Sequence, residues 1–513
     1  MSRTSRPTWR TTLSALPILA LLLALTLAPA LAQEEANGNY YTIKYDQYGN
    51  KLWHAIYDGG KWDYAYGVAV DSEGNVIVTG ASEIWHDYDQ NGEEGEGEAN
   101  YDYYTIKYDP QGNEVWEQPI IYDNGDRDEA YGIAVDSEDN IIVTGRSFNG
   151  LNYDYLTIKY GPDGNQLWPQ PVIYDGEEDD GANSVAVDSQ DNVMITGYSK
   201  IWHDYDQDEE EDEGEINLDY YTIKYDQDGN EQWSKAHDQG HNDGALEVVL
   251  DSASNVVVTG GCRRWGEEHD YNQNGEEDEE EENSDYCTIK YDKEDGSEVW
   301  DEPLFYDSGH SDTAYGAAVD SQDNIIVTGS YTIQPEAEPG TVQFPLWHRY
   351  TTIKYSSAGN KIWEVTYDTD GQENVYDVAV DSGDNVIVTG KVSDAQTWNY
   401  YTIKYDKDRR ELWNRTYDGG QWDSALDVVV DDDDNVIVTG SSQEASGTDG
   451  DGGTSTNGGG LPGSAILGIA LGGCAAIGLA CYYLFYLRGL EARQPPRAER
   501  RRKAAQQRKQ AKR

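Results

Sequence analysis

The sequence predicts an all-β fold, a seven-bladed β-propeller, followed by one C-terminal transmembrane helix. Three markers predict the propeller. The tetrapeptide TIKY recurs seven times, with Lys at positions 44, 107, 159, 224, 290, 354 and 404. A tryptophan follows each copy, at 53, 116, 168, 233, 300, 363 and 413. A Thr-Gly pair then follows each tryptophan, with Thr at 79, 144, 196, 259, 328, 389 and 439. A fixed repeat of this length marks a solenoid or a propeller. The helix is predicted by the run from Ala465 to Leu487, which carries no charged residue.

Each unit reads as four short strands. In the first, Tyr41–Tyr45 is β-branched and aromatic, and Gly49-Asn50 marks a turn. Leu52–Tyr57 is a second strand, broken by Asp58-Gly59-Gly60. Tyr66–Val70 is a third, Asp71–Asn75 a turn, and Val76–Thr79 a fourth. Turn residues fall at strand-length intervals and no helical period intervenes. Four strands in a unit of about 40–50 residues is the pattern of a propeller blade.

The runs Gly67–Gly80 (GVAVDSEGNVIVTG) and Gly132–Gly145 (GIAVDSEDNIIVTG) resemble the bacterial and archaeal SBBP β-propeller repeats and, more distantly, NHL-type repeats. The resemblance spans about residues 40–440 and implies a strand order. GVAVD would be innermost, VIVTG next, TIKY third and the Trp strand outermost. The chain would then begin with an outer pair and end with an inner pair. A hybrid blade, Ala425–Gly440 with Tyr40–Tyr57, would close the ring and remove the open sheet edge. The repeated tryptophans are expected to pack between blades. The repeated lysines are expected to pair with neighbouring repeated aspartates. Asp63, Asp128, Asp243, Asp312 and Asp423 are expected to tie loops to nearby backbone.

The two chain ends differ from the repeats. Arg3, Arg6 and Arg10, the apolar stretch Leu13–Leu27 and Ala30-Leu31-Ala32 form a signal-peptide pattern over residues 1–32. The propeller is assigned to 33–440, a Gly/Ser/Thr-rich linker to 441–463, the transmembrane helix to 464–487 and a basic tail to 488–513. The Arg500–Lys503 cluster places the tail in the cytoplasm and the propeller outside, so the expected location is the cell membrane, single-pass. Gly468 and Gly472 form a GxxxG pattern able to pair helices into a homodimer.

The formal net charge is −60. With three Arg in residues 1–32, and 11 Lys and Arg against two Glu in 488–513, the remaining chain holds 23 basic and 95 acidic residues. Such a surface repels phosphate backbones, which excludes nucleic acid as a partner, and attracts cations.

Three acidic insertions lie between a VTG strand and the next TIKY strand. Asp87, Asp89, Asn91 and Glu98, with Gly92 at the bend, fit the twelve-residue calcium loop, as do Asp270, Asn272, Asn274 and Glu281 with Gly275. Asp204, Asp206, Asp208 and Glu215 fit it except that Glu209 replaces the bend glycine. These loops resemble the EF-hand-like loops of dockerins and thrombospondin type 3 repeats, without flanking helices. The expected ligand is Ca²⁺; the alternatives are a solvated acidic loop, or zinc through the preceding His86, His203 and His269. Cys262 and Cys287 bracket the third loop, and a disulfide between them is expected to staple its base.

No GxSxG, zinc-protease or phosphate-cradling motif is present. The expected function is therefore a non-enzymatic, calcium-stabilised surface module that binds a protein or glycan. Two alternatives remain open. One is an extracytoplasmic propeller enzyme, quinoprotein-like (from the Asp292…Gly296…Trp300 spacing) or a lyase; the other is a structural acidic surface protein.

Overall fold

A computed structural model describes residues 37–86, 99–203, 216–264, 283–333, 347–367, 372–393 and 397–444. The predicted signal, calcium loops, membrane helix (Gly468 and Gly472 included), basic tail and the linker beyond Glu444 lie outside the described residues, while residues 441–444, assigned to the linker, complete the last strand. Among the described residues every element is a strand, and no helix is long and apolar enough to cross a membrane.

In chain order the strands are β1 (Asn39–Tyr45), β2 (Lys51–Tyr57), β3 (Asp63–Val70), β4 (Val76–Trp85), β5 (Ala99–Tyr108), β6 (Ile120–Tyr122), β7 (Asp128–Val135), β8 (Ile141–Phe148), β9 (Tyr153–Tyr160) and β10 (Val172–Tyr174). There follow β11 (Asp180–Val187), β12 (Val193–Trp202), β13 (Ile216–Tyr225), β14 (Glu231–His237), β15 (Gly244–Leu250), β16 (Val256–Arg264), β17 (Asn283–Tyr291) and β18 (Leu304–Tyr306). The last are β19 (Asp312–Val319), β20 (Ile325–Ile333), β21 (Trp347–Tyr355), β22 (Lys361–Tyr367), β23 (Glu373–Val380), β24 (Val386–Ser393), β25 (Trp398–Tyr405), β26 (Glu411–Tyr417), β27 (Gly420–Val430) and β28 (Val436–Glu444).

Five antiparallel four-stranded sheets run from β3–β6 through β19–β22. A sixth sheet of eight strands joins β23–β26 to β27, β28, β1 and β2 through a single parallel bridge, Trp398 to Trp422. The chain ends meet in it: β1 pairs with β28 from Asn39↔Ser442 to Tyr45↔Val436. The first strands of successive sheets pack on one another, β3 on β7, β7 on β11, β11 on β15, β15 on β19, β19 on β23 and β23 on β27, and β27 packs back on β3. The arrangement is propeller-like.

The recurring residues have identifiable tasks. The VTG glycine faces a bulge in the neighbouring first strand: a Cβ at Gly197 would lie 2.0 Å from the Gly181 carbonyl oxygen, and one at Gly440 2.0 Å from that of Ser424. Only glycine allows that approach. The threonine before it and the TIKY threonine share a hydrogen bond in each unit, as in Thr79 with Thr105 (2.8 Å) and Thr42 with Thr439 (2.9 Å). The tryptophans lie between units. Trp168, Trp233 and Trp413 are buried and the other four half-buried. Trp53 donates its indole N–H to the Pro110 carbonyl (3.0 Å) and Trp413 to that of Gln47 (3.0 Å).

All seven repeated lysines reach a buried aspartate in the turn after a first strand. The pairs are Lys44–Asp431, Lys107–Asp71, Lys159–Asp136, Lys224–Asp188, Lys290–Asp251, Lys354–Asp320 and Lys404–Asp381; all are 2.5–2.8 Å apart except Lys224–Asp188, at 3.6 Å. The same turns are tied to one another. The Ser137 hydroxyl and N–H donate to Asp191, a residue held at φ 61°, and Ser72, Ser252, Ser321 and Ser382 repeat the link with Asp139, Asp323, Asp384 and Asp434.

Candidate functional site

The opposite end of each sheet, where the acidic insertions leave and return, is built differently. Asp87–Glu98, Asp204–Glu215 and Asp270–Glu281 lie outside the described residues, but their stems do not. β4 and β12 lead to His86 and His203, and β5 and β13 carry Asp102 and Asp219 directly across from Ser82 and Ser199. The His86 imidazole Nε2 lies 2.8 Å from Asp102 and its Nδ1 3.5 Å from Asp123. His203 repeats this with Asp219 (2.9 Å) and Asp238 (3.5 Å). Asp154, Asp175 and Asp180 form a like group, as do Asp285, Asp307 and Asp312. In each group one candidate ligand atom per residue lies within 4.8 Å of the others.

These carboxylates come from three places: the third strand, the loop after the fourth, and the start of the next sheet's first strand. The last set includes the predicted loop-tying aspartates. Asp63 accepts the N–H of Gly59 (2.7 Å), Asp128 that of Asn124 (2.9 Å), Asp312 that of Ser308 (2.8 Å) and Asp423 that of Gly419 (2.6 Å). They do tie loops, and Asp312 also stands in one cluster with the third-strand Asp285, while asparagines (Asn39 and Asn399) hold the third-strand position before Asp63 and Asp423; sequence reasoning missed the third-strand acids.

Burial dominates the electrostatics. It pushes the Asp102 carboxyl up to about 7 against the pull of His86, and Asp154 up to about 6. Burial together with Asp238 and Asp243 pushes Asp219 up to about 8, and burial raises Asp312 to about 8. One oxygen in each of Asp102, Asp154, Asp219 and Asp312 is buried with no hydrogen-bond partner among the described residues. A buried carboxylate oxygen left in that state is unfavourable when charged, and either a proton or a cation would relieve it. The donors are hard oxygens, the set that suits Ca²⁺ and Mg²⁺.

Two further departures from the repeat stand out in the structure. Gly67, Gly132, Ser184 and Gly316 occupy one position of the first strand, each across from the VTG threonine; Glu247, Asp377 and Asp427 replace them in the other three. Asp377 accepts the Val428 N–H (3.0 Å) and Asp427 the Val68 N–H (2.6 Å) from neighbouring first strands. Burial, and for Asp377 the nearness of Asp427, raises their pKa values, and burial raises Glu247 to about 8. Elsewhere, Trp62, Tyr64 and Tyr66 stack in a row with ring centroids 6.0 and 5.9 Å apart, and Arg127 lies 4.6 Å over the neighbouring Tyr101 ring.

Cys262 and Cys287 are both buried and both free thiols. The register explains it: Cys262 lies across from Asp285 and Cys287 across from Gly260, so the two are diagonal neighbours and not a facing pair.

No protein-family profile matches the chain. It is 23% identical over 457 residues to an uncharacterized WD repeat-containing protein of Acanthamoeba polyphaga mimivirus, covering 69% of this chain and 31% of that protein. The chain thus spans about a third of the length of that relative. Among solved structures, Sqt1 of Chaetomium thermophilum aligns over 74% of this chain and 96% of its own, at 11% identity and a TM-score of 0.38. A gluconolactonase of Xanthomonas campestris aligns over 59% of this chain and 90% of its own, at 12% identity and a TM-score of 0.30. Likeness at this level assigns no activity.

Proposed function

We propose that this chain is a seven-bladed propeller, tethered outside the cell by its 464–487 segment, that binds a protein or glycan through a face ordered by Ca²⁺. One observation carries the reading: buried carboxylates with an oxygen unpartnered among the described residues, Asp102 and Asp219, stand on the stems of two of the three acidic insertions, and Asp154 and Asp312 repeat them at the same end of other sheets. Calcium held there would neutralise the stems and the insertions together, and affinity in the range of about 10⁻⁴–10⁻³ M suits an extracellular site. The stacked row Trp62–Tyr64–Tyr66 offers flat, half-buried rings of the kind that pack against sugars.

The test is thermal unfolding of the full chain in detergent, with Ca²⁺ and with chelator, alongside equilibrium dialysis against Ca²⁺. Ca²⁺ should raise Tm and bind at several sites per chain. Equal Tm values with no bound calcium would remove the reading. A second reading, an extracytoplasmic hydrolase or lyase, draws on Glu247, Asp377 and Asp427 at positions otherwise held by glycine or serine. It requires turnover in a substrate screen that Asp377→Asn abolishes.

A further inference from the structure

The interfaces between sheets vary at three matching positions, and one interface carries a trio found at no other among the described residues. Where β2 meets the next sheet, Tyr57 stacks on Tyr104 (centroids 4.3 Å apart), and Ser82 donates to the buried Asp63 (2.5 Å) beside them. The pattern recurs where Tyr174 stacks on Tyr221 (4.4 Å) with Ser199 within 3.4 Å of the Tyr174 hydroxyl, and where Tyr417 stacks on Tyr41 (4.1 Å) with Ser442 donating to Asp423 (2.6 Å). The register identifies the matching residues where β14 meets β16 and β17. His237 lies across from Tyr220 as Tyr57 lies across from Tyr40. Cys287 lies across from Gly260 as Tyr104 lies across from Gly80, and Cys262 follows Gly260 at the distance that Ser82 follows Gly80. At this one interface, tyrosine, serine and tyrosine are replaced together by histidine, cysteine and cysteine.

We propose that His237, Cys262 and Cys287 form a binding site for a thiolate-seeking cation, with Zn²⁺ as its occupant. One donor atom from each residue lies within 4.8 Å of the others. Tetrahedral zinc needs sulfur and nitrogen donors about 3.3–3.8 Å apart, a small contraction of that arrangement. Both cysteines are fully buried, and the site lies between two packed sheets on three strands, which fixes its donors without loops. The surroundings fit. Gln239 meets the His237 imidazole at 2.9 Å and orients it, the kind of outer contact that tunes a metal ligand. Asp243, the counterpart of Asp63, accepts the N–H of Arg263 next to Cys262 (2.9 Å) and that of Gln239 (2.7 Å), and so braces the two segments that flank the site. Loss of the stacked tyrosine pair at this interface is then offset by metal–ligand bonds, which couple directly to folding stability. Sulfur and imidazole donors select a different ion from the all-oxygen clusters at the sheet ends, so this site stands apart from the calcium reading.

The test uses the full chain, produced in zinc-supplemented medium and purified under reducing conditions without chelator. Elemental analysis should find stoichiometric zinc. Exchange with Co²⁺ should produce a thiolate-to-cobalt charge-transfer band. The triple variant His237→Tyr/Cys262→Ser/Cys287→Tyr rebuilds the sister interface and is expected to fold. It should lose the band and weaken Co²⁺ binding by at least about 10-fold, with its calcium response unchanged. Cys262→Ser alone should shift the band. The proposal is overturned if the wild type, with both thiols titratable, takes up neither zinc nor cobalt. It is equally overturned if the isolated chain is two hydrogens lighter with no free thiol, which would mean a disulfide, or if the triple variant retains full zinc.

Discussion

The two ends of each sheet use the same residue, aspartate, in opposite electrostatic states. At the turn end, Asp71, Asp136, Asp188, Asp251, Asp320, Asp381 and Asp431 are partly desolvated. A lysine ammonium, an asparagine amide and backbone N–H groups nevertheless hold their carboxyls below the usual range. At the loop end, Asp102, Asp180, Asp219 and Asp312 are buried with one oxygen unpartnered among the described residues, and burial pushes their carboxyls up to about 7 or 8. The first end is complete as a protein structure. The second is complete only with a proton or a cation. Scaffold and site thus lie at opposite ends of the same strands, as loop-borne function on a rigid frame requires.

The largest test of this contrast removes a turn-end cation. Lys404→Met leaves Asp381 buried without its partner (2.6 Å in the native chain) and should cost about 3–5 kcal/mol in denaturant unfolding. A loss under about 1 kcal/mol would mean that the turn end is not held by its ion pairs. Next, Gly197→Ala forces a Cβ onto the Gly181 carbonyl oxygen and should destabilise by about 1–3 kcal/mol, read the same way. At the loop end the sign reverses. Asp219→Asn removes a carboxylate that burial holds near 8, so in chelator at about pH 8 the variant should be more stable than the wild type, by about 1 kcal/mol, while its calcium-induced rise in Tm shrinks.

The pH profile sharpens the same comparison. The loop-end carboxyls titrate near 7 or 8 when folded and near 3.9 when unfolded, so the native chain holds more protons between those values. Stability in chelator should fall as pH rises through that window, and Ca²⁺ should restore it most at the alkaline side. The turn-end carboxyls have the opposite sign: their contribution is present above the unfolded value and is lost as pH falls through the lower folded value. A metal-free Tm that rises steadily from pH 5 to pH 8 would contradict the assignment. The smallest effect belongs to the links between turns: Ser137→Ala removes one hydroxyl hydrogen bond to Asp191 and should cost about 0.5–1.5 kcal/mol.

Much of the scaffold was legible because each marker has a local cause that recurs. The TIKY lysines meet aspartates, tryptophans such as Trp53 and Trp413 meet turn carbonyls, and VTG glycines such as Gly197 and Gly440 meet bulge carbonyls, and repetition exposes such rules. The strand order came from the resemblance to SBBP repeats, which implied that Ala425–Gly440 meets Tyr40–Tyr57; in the structure Tyr41 lies across from Gly440. The site was less legible. Asp102, Asp154, Asp219 and Asp285 are four among 95 acids, and nothing in their sequence context separates them from solvated neighbours until the register places them beside Asp123, Asp175, Asp238 and Asp307. Glu247, Asp377 and Asp427 could have been found as departures from the GVAV consensus. The His237–Cys262–Cys287 group could not, because its members lie on three strands of two sheets and converge only when the repeats are superposed in three dimensions.

The pairing of β1 with β28 sets a condition on biosynthesis. Residues near 40 wait for partners near 440, so the earliest strand made is among the last to be satisfied. Any chain halted before Val436 would present β1 and β27 as bare edges, ready to recruit strands from other molecules. The final ten or so residues of the sheet region therefore act as a latch, and a protease that clipped them would turn a closed particle into an adhesive one.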